Sequence, residues 1–199
     1  MKYVGVLGVQ GDITEHVHIL EEVARKLGLG AKVIIVNTPE GVEKLSALVM
    51  PGGESTTLGK LLRAYKIDES IKKIAAKGVP IMGTCAGLIM LAKNAFGQKK
   101  GGQHLLGLLD VSVDRNAYGR QRESFEADLN IPAVGKEPFH GVFIRAPVIE
   151  KVFGRAKALA EYDGRIVMVR EGNLLGLAFH PEISGDTRIH EYFLKMMKV

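Results

Sequence analysis

Cysteine occurs once in this 199-residue sequence, and tryptophan does not occur at all. A lone cysteine cannot form an internal disulfide, so a reducing, cytoplasmic location is expected. Long apolar runs are missing too. No segment approaches the ~18–20 residues a membrane helix needs, and the first apolar run, YVGVLGV, breaks at Gln10-Gly11-Asp12 without a signal-peptide cleavage pattern. Nor does one sign of charge dominate. The 27 Lys and Arg stand against 22 Asp and Glu, a net charge of +5, and the two signs are interleaved along the chain. The densest basic group, Lys99-Lys100, is short and lacks interleaved aromatics. A solvated, lysine-rich surface accounts for it better than a nucleic-acid platform. With 46% hydrophobic and 25% charged residues, and no linker, repeat or low-complexity tract, the chain is expected to form one globular domain over 1–199.

The first half alternates β-rich and helical patterns. Strands are expected at 2–9, 32–36, 47–50 and 80–83. Helices are expected at 13–27, where apolar residues recur at Val17, Leu20, Val23, Ala24 and Leu27, and at 56–65, 68–77 and 86–93. Short apolar strands separated by helices predict a parallel sheet covered on both faces. The second half reads as short strands at 108–114, 124–129, 141–145, 158–162, 166–169 and 174–179, with Asp163-Gly164 as a hairpin turn. A final helix is expected at 186–197. The fold class that follows is a three-layer α/β/α sandwich with a flavodoxin-like, mostly parallel sheet and an antiparallel section in its second half.

The single thiol sits in VPIMGTCAGL. Gly83-Thr84-Cys85-Ala86-Gly87 has the form G-x-C-x-G, the thiol counterpart of a nucleophile elbow. A nucleophile presented at a sharp strand-to-helix turn needs a strained backbone, and side chains two positions away on either side would collide with it; glycines remove the collision. At such a turn the free N–H groups of the helix start favour negative charge, and that of Ala86 can stabilise an oxyanion. The motif alone fits a packed, inert cysteine as well as a nucleophile.

A nucleophile needs a base. His16 and His18 lie two apart on a helix and face different ways, and His104, His140 and His190 have no obvious carboxylate organised beside them. His180 follows a strand and precedes Pro181-Glu182. If that segment is extended, His180 and Glu182 face one way, and the carboxylate can fix the imidazole tautomer. A third feature, Pro51-Gly52-Gly53-Glu54-Ser55-Thr56-Thr57, follows the strand ALVM. Its glycines can turn backbone N–H groups towards a bound group, and Ser55 or Thr56 can cap the next helix. It lacks the pattern of a phosphate loop.

PGGES, GTCAG and FHPE, in this order, resemble the class I, triad-type glutamine amidotransferases. GVLGVQGDITEH, DRNAYGRQRESFEADL and HGVFIRAP extend the match over nearly the whole chain, and are similar to the glutaminase subunits of pyridoxal 5′-phosphate synthases. The resemblance implies that Cys85 attacks the side-chain amide of L-glutamine, that His180 is its base and acid, and that Glu182 orients His180. It implies glutamine contacts at Gly53, Glu54, Ser55, Arg115, Ile144 and Arg145, and oxyanion donors on the backbone of Gly53 and Ala86. No metal or organic cofactor is implied. The partner it implies is a (β/α)8-barrel synthase subunit in a large hetero-oligomer, which receives the ammonia. Gln10, Gly11 and Asp12, at the carboxyl end of a strand, are expected near the docking face. Three alternatives stay open on the residues: a glutaminase serving another acceptor, a protease- or glyoxalase-like thiol hydrolase of related fold, and a non-catalytic binding subunit.

Overall fold

The computed structural model describes residues 1–97, 102–115 and 124–197. The Lys99-Lys100 group and most of the RNAYGRQRE segment lie outside the described residues.

The alternation in the first half folds into parallel strands. β1 (Lys2–Leu7) leads through α1 (Ile13–Lys26) to β2 (Ala31–Val36), and α2 (Pro39–Glu43) leads to β3 (Ala47–Met50). From β3 the chain passes through α3 (Ser55–Ala64) and α4 (Ile67–Ala76) to β4 (Ile81–Thr84). The four strands lie in the order β2-β1-β3-β4, all parallel. The step from β1 to β2 runs one way along the sheet and the step from β3 to β4 runs the other. Because such crossovers are right-handed, the reversal puts α1 on one face and α3 and α4 on the opposite one. Every residue of β3 and β4 is buried, as covering on both faces requires. Beyond the carboxyl ends of β1 and β3, where the direction reverses, the sheet leaves the crevice in which ligands bind.

The second half comprises α5 (Ala86–Leu91), β5 (Ala92–Phe96), β6 (Leu109–Asp114), β7 (Ser124–Leu129), β8 (Phe139–Ile144) and β9 (Val148–Val152). Then come β10 (Lys157–Tyr162), β11 (Arg165–Glu171), β12 (Leu174–Leu177), a 3₁₀ turn (Pro181–Ile183) and α6 (Arg188–Leu194). β12 joins β4 in parallel. β11 then runs antiparallel to β12, and the sheet continues through β9, β6 and β5, with β10 on β11. β7 and β8 form a separate antiparallel ribbon. α6 packs on α1, while α3 packs on α5 and α4 on α2. This is the expected α/β/α arrangement with its antiparallel section. Asp163 and Gly164 both have positive φ, 50° and 70°, the hairpin geometry their pairing predicted. Among the described residues no helix is long and apolar enough to cross a membrane.

Three elements differ from expectation. The helix after the elbow ends at Leu91, and the chain continues at once as β5. The carbonyls of Met90 and Leu91 accept from the N–H groups of Leu106 and Leu108 at 2.7 and 2.9 Å, so a returning loop takes the acceptors that another helical turn would need. α2 is short, started by Pro39 and by Thr38, whose hydroxyl accepts from the Gly41 N–H at 3.2 Å. β9 was not anticipated. It bridges β6 and β11, and so joins the two halves of the large sheet.

Candidate active site

β4 ends at Thr84 and α5 begins at Ala86, so the chain turns from strand to helix in one residue, Cys85. Cys85 holds φ 49° and ψ −103°, a conformation that costs a non-glycine residue about 1–3 kcal/mol. The flanking glycines make the turn possible. A methyl on Gly83 would lie 2.5 Å from the carbonyl carbon of Gly87, and one on Gly87 would strike the carbonyl oxygen of Met50. Both glycines of G-x-C-x-G are thus required by named atoms, the Gly87 carbonyl for Gly83 and the Met50 carbonyl for Gly87. The Cys85 N–H donates to Leu177 O at 2.8 Å, which ties the elbow to β12. The buried sulfur lies 3.8 Å from the carbonyl oxygen of Ile144.

His180 lies three residues beyond β12 and is anchored by its N–H to Val142 O on β8, 2.8 Å. The segment after it is not extended as expected. Pro181–Ile183 forms a 3₁₀ turn, and Glu182 reaches back by curling rather than by alternation. Its Oε1 lies 2.7 Å from His180 Nδ1. Burial works to lower the His180 pKa, but hydrogen bonds to Cys85 and Glu182, with their charges, outweigh it and raise the value to about 10. With Nδ1 held by Glu182, Nε2 is the nitrogen left for the sulfur. An imidazolium there is the charge partner a thiolate nucleophile needs. Glu182 is buried, which pushes its carboxyl pKa up against the opposing pull of His180.

Two loops close the site. In PGGES, Gly53 takes φ 133°, and Gly52 packs directly under the imidazole: a methyl there would lie 2.5 Å from His180 Cε1. The helix cap differs from expectation. Glu54 itself caps α3, accepting from the N–H groups of Thr56 and Thr57 at 3.0 and 2.7 Å and from the Thr57 hydroxyl at 2.8 Å. A carboxylate takes two N–H groups where a hydroxyl takes one, which is why it displaces Ser55 and Thr56 from the role. Burial opposes ionisation of Glu54, yet these donors bring its pKa down to about 2. The Ser55 hydroxyl donates instead to Gln103 Oε1, 3.3 Å. Arg115 Nη2 lies 3.2 Å from Glu54 Oε1, so a cation and an anion meet at the mouth of the crevice. Arg145, next to the Ile144 carbonyl, has φ 45°.

The GVQGD loop after β1 forms the other wall. The Gly11 backbone packs so tightly on Gly52 that a methyl on Gly11 would strike the Gly52 carbonyl. Gln10 lies against Gly53, with its Oε1 buried and unpartnered among the described residues. Asp12 Oδ2 is 3.3 Å from His180 Nδ1. The structure thus brings Gln10, Gly11, Asp12, Gly53, Glu54, Arg115, Ile144 and Ala86 around Cys85, His180 and Glu182.

Sequence reasoning missed several residues. Asp12 was expected only at a docking face, yet it shares the imidazole with Glu182. His16 and His18 do face different ways: His18 is exposed and His16 wholly buried, and the sequence signal for that burial is the place of His16 four before Leu20 and seven before Val23 on the apolar stripe. Two further histidines, the half-buried His104 and the exposed His140, do have carboxylates, contrary to expectation. His104 Nε2 lies 2.9 Å from Asp68, and His140 Nε2 lies 2.8 Å from Glu126 with Asp128 at 3.5 Å from Nδ1. These partners come from α4 and from the facing strand, so no local pattern discloses them.

Comparison with known proteins gives consistent matches. The family model described as the SNO glutamine amidotransferase family matches residues 6–199. The protein named pyridoxal 5′-phosphate synthase subunit PdxT in Pelotomaculum thermopropionicum is 52% identical over 192 residues, 96% of this chain and 93% of that one. Its namesake in Thermotoga maritima is 48% identical over 195 residues, covering 98% and 99%. A solved structure titled as a glutamine amidotransferase superposes with TM-score 0.86 at 46% identity, over 98% and 99% of the two chains. A second, of PurLQS from Thermotoga maritima, superposes with TM-score 0.72 at 21% identity over 99% of each, a likeness of fold alone.

Proposed function

The chain belongs to the SNO glutamine amidotransferase family, and from that premise we propose that it is a single-domain glutaminase supplying ammonia to a synthase that makes pyridoxal 5′-phosphate. The observation that carries the reading is the line Cys85–His180–Glu182, with the sulfur on a strained turn and the imidazole held between sulfur and carboxylate. The sulfur attacks the Cδ carbonyl carbon of L-glutamine, and N–H groups at Gly53 and Ala86 receive the developing oxyanion. His180, protonated, gives its proton to the departing nitrogen, which leaves as ammonia, and a γ-glutamyl thioester remains on Cys85. His180, now neutral, takes a proton from water as it attacks the thioester. Glutamate departs and the ion pair is restored. Glu182 keeps the imidazole in place through both proton transfers.

The charged pair at the mouth suits the amino-acid end of the substrate. Arg115 matches an α-carboxylate and Glu54 an α-ammonium, with Ser55, Ile144 and Arg145 completing the contacts. A hydrogen bond to a charged group contributes about 1.5–3 kcal/mol. Arg115→Ala is therefore expected to raise KM for glutamine by about tenfold or more, with a smaller effect on kcat, as read in a steady-state ammonia-release assay. A fall in kcat alone would place Arg115 outside the substrate site.

The partner we propose is a (β/α)8-barrel synthase subunit in a hetero-oligomer, docking near Gln10, Gly11 and Asp12. Because these residues wall the oxyanion loop, a partner pressing on them would act on catalysis directly. The test is glutamine hydrolysis with and without the synthase barrel. Hydrolysis is expected to rise on docking, and Gln10→Ala is expected to weaken that rise. No hydrolysis in either condition would overturn the glutaminase reading. Unchanged stimulation and unchanged affinity in Gln10→Ala would remove Gln10 from the interface.

A further inference from the structure

Behind the triad lies a second polar cluster. His16 from α1 and His190 from α6 are both wholly buried, with His16 Nδ1 3.3 Å from His190 Nε2. His16 Nε2 points the other way, 3.3 Å from the hydroxyl of Thr84 and 3.3 Å from Glu182 Oε2. Glu182 thus uses one oxygen on His180, while its other is sealed from solvent, lacks a hydrogen-bond partner among the described residues, and has His16 Nε2 as a neighbour at 3.3 Å. Thr84 immediately precedes the nucleophile. His16 therefore touches both the orienting carboxylate and the base of the elbow.

The protonation pattern follows from the contacts. Burial, then His190 and His180, hold the His16 pKa well below its ordinary value, and burial lowers that of His190 to about 3, so both rings are neutral. One N–H is shared between His16 Nδ1 and His190 Nε2. If His16 donated it, His16 would present a lone pair to the Glu182 carboxylate, and His190 would carry its proton on Nδ1, which has no partner among the described residues. If His190 donates, no N–H is stranded: His16 Nε2 carries its proton towards the Thr84 hydroxyl, with the partial positive charge of that N–H 3.3 Å from the unpartnered Glu182 oxygen.

We propose that His16 is a positioning residue of the glutaminase triad: held by His190 as the Nε2–H tautomer, it sets an N–H against the second oxygen of Glu182 and against Thr84, keeping the buried carboxylate ionised and in register with the elbow. The proposal rests on the glutaminase reading only for the identity of the substrate.

The groups that bear on Glu182 are few. His180 faces Oε1, His16 from α1 faces Oε2, and Asp12 ahead of α1 adds negative charge. The titratable side chain of β8, His140, is engaged with Glu126 and Asp128. Without the His16 N–H, Glu182 takes up a proton more readily. A neutral Glu182 no longer supports the His180 imidazolium, and that charge is lost from beside the sulfur. Activity and sulfur reactivity should then fail at higher pH than in the wild type.

Because Cys85 is the only cysteine in the chain, iodoacetamide labelling followed by mass spectrometry reads this site alone in the full-length protein. In His16→Leu we expect labelling near pH 6 to slow about tenfold and the acidic limb of both labelling and kcat/KM to move up. KM for glutamine should stay within about twofold, because His16 does not touch the substrate. His16→Gln, which can place an amide N–H near the position of Nε2, should restore most of the wild-type profile. His190→Phe, which touches neither Glu182 nor Thr84, should shift the limb in the same direction by freeing the tautomer. Circular dichroism and Tm establish that each variant is folded. A folded His16→Leu whose labelling and rate profiles superimpose on the wild type overturns the proposal. Should that variant fail to fold, a wild-type profile in a folded His190→Phe overturns it. If the wild type releases no ammonia from glutamine with the synthase present, the glutaminase reading fails, while the labelling comparison still decides the role of His16.

Discussion

Cys85→Ala is expected to lower glutamine-dependent ammonia release by on the order of 10⁴-fold or more, while the partner synthase still turns over when ammonium is added. The two halves of this result come from different features. On the proposed mechanism, alanine removes the sulfur, so no thioester can form, and the proposed oxyanion donors and His180 have no covalent intermediate to act on. The elbow itself should survive. Its φ of 49° is enforced by the Leu177 carbonyl and by the packing of Gly83 and Gly87, and alanine bears that conformation no worse than cysteine does. Glutamine binding should persist as well, because Glu54 and Arg115 are untouched. The measurement is product formation with glutamine or ammonium as nitrogen source, beside glutamine binding by calorimetry. A variant that keeps glutamine-dependent turnover would remove Cys85 from the chemistry. One that loses ammonium-dependent turnover would show that the substitution damages the complex instead.

How much of this was legible in the sequence depends on how local each cause is. The elbow could be read because its requirement spans five residues: two glycines clear the space that one strained residue needs. The parallel half could be read because each strand is a short apolar run and each helix carries a 3.6-residue stripe. The same logic misjudged the helix after the elbow. AGLIMLAK is apolar up to its last residue, and what stops the helix is a pair of hydrogen bonds from Leu106 to Met90 and from Leu108 to Leu91, sixteen and seventeen residues apart. The HPE segment was assigned the right contact through the wrong backbone, since a 3₁₀ turn and an extended strand can both bring positions two apart to one side. Distant partners were invisible. Asp12 meets His180 across 168 positions, and His16 meets Glu182 and His190 from one end of the chain to the other. Spacing carries no trace of such pairs; only the buried placement of a histidine on an apolar helical stripe hints at one.

Gly52 is where fold and chemistry come closest, and its substitution separates them. Its φ lies outside the left-handed region, so alanine is acceptable to the backbone. The space is not available. The added methyl would sit 2.5 Å from His180 Cε1 and 3.3 Å from both His180 Nδ1 and Asp12 Oδ2, so ring and loop must part by roughly 1 Å to reach ordinary contact. The ring has little freedom to yield, because Glu182 holds Nδ1 at 2.7 Å and Val142 holds the backbone N–H at 2.8 Å. If the ring moves, Nε2 leaves the sulfur. If the loop moves instead, it carries with it Gly53, whose N–H we propose as an oxyanion donor. Either displacement, on the scale of 1 Å, costs about 10²-fold in rate. Gly52→Ala is therefore expected to lower kcat by about that factor with the synthase present, at a nearly unchanged Tm. Gly28→Ala is the control. Gly28 has φ 60° with nothing within 4 Å of the added methyl, so it should lose about 1 kcal/mol of stability to backbone strain and keep full activity. Wild-type kcat in Gly52→Ala would mean that the imidazole is not confined as the structure places it, and the derivation of the ion pair from that confinement would fall with it.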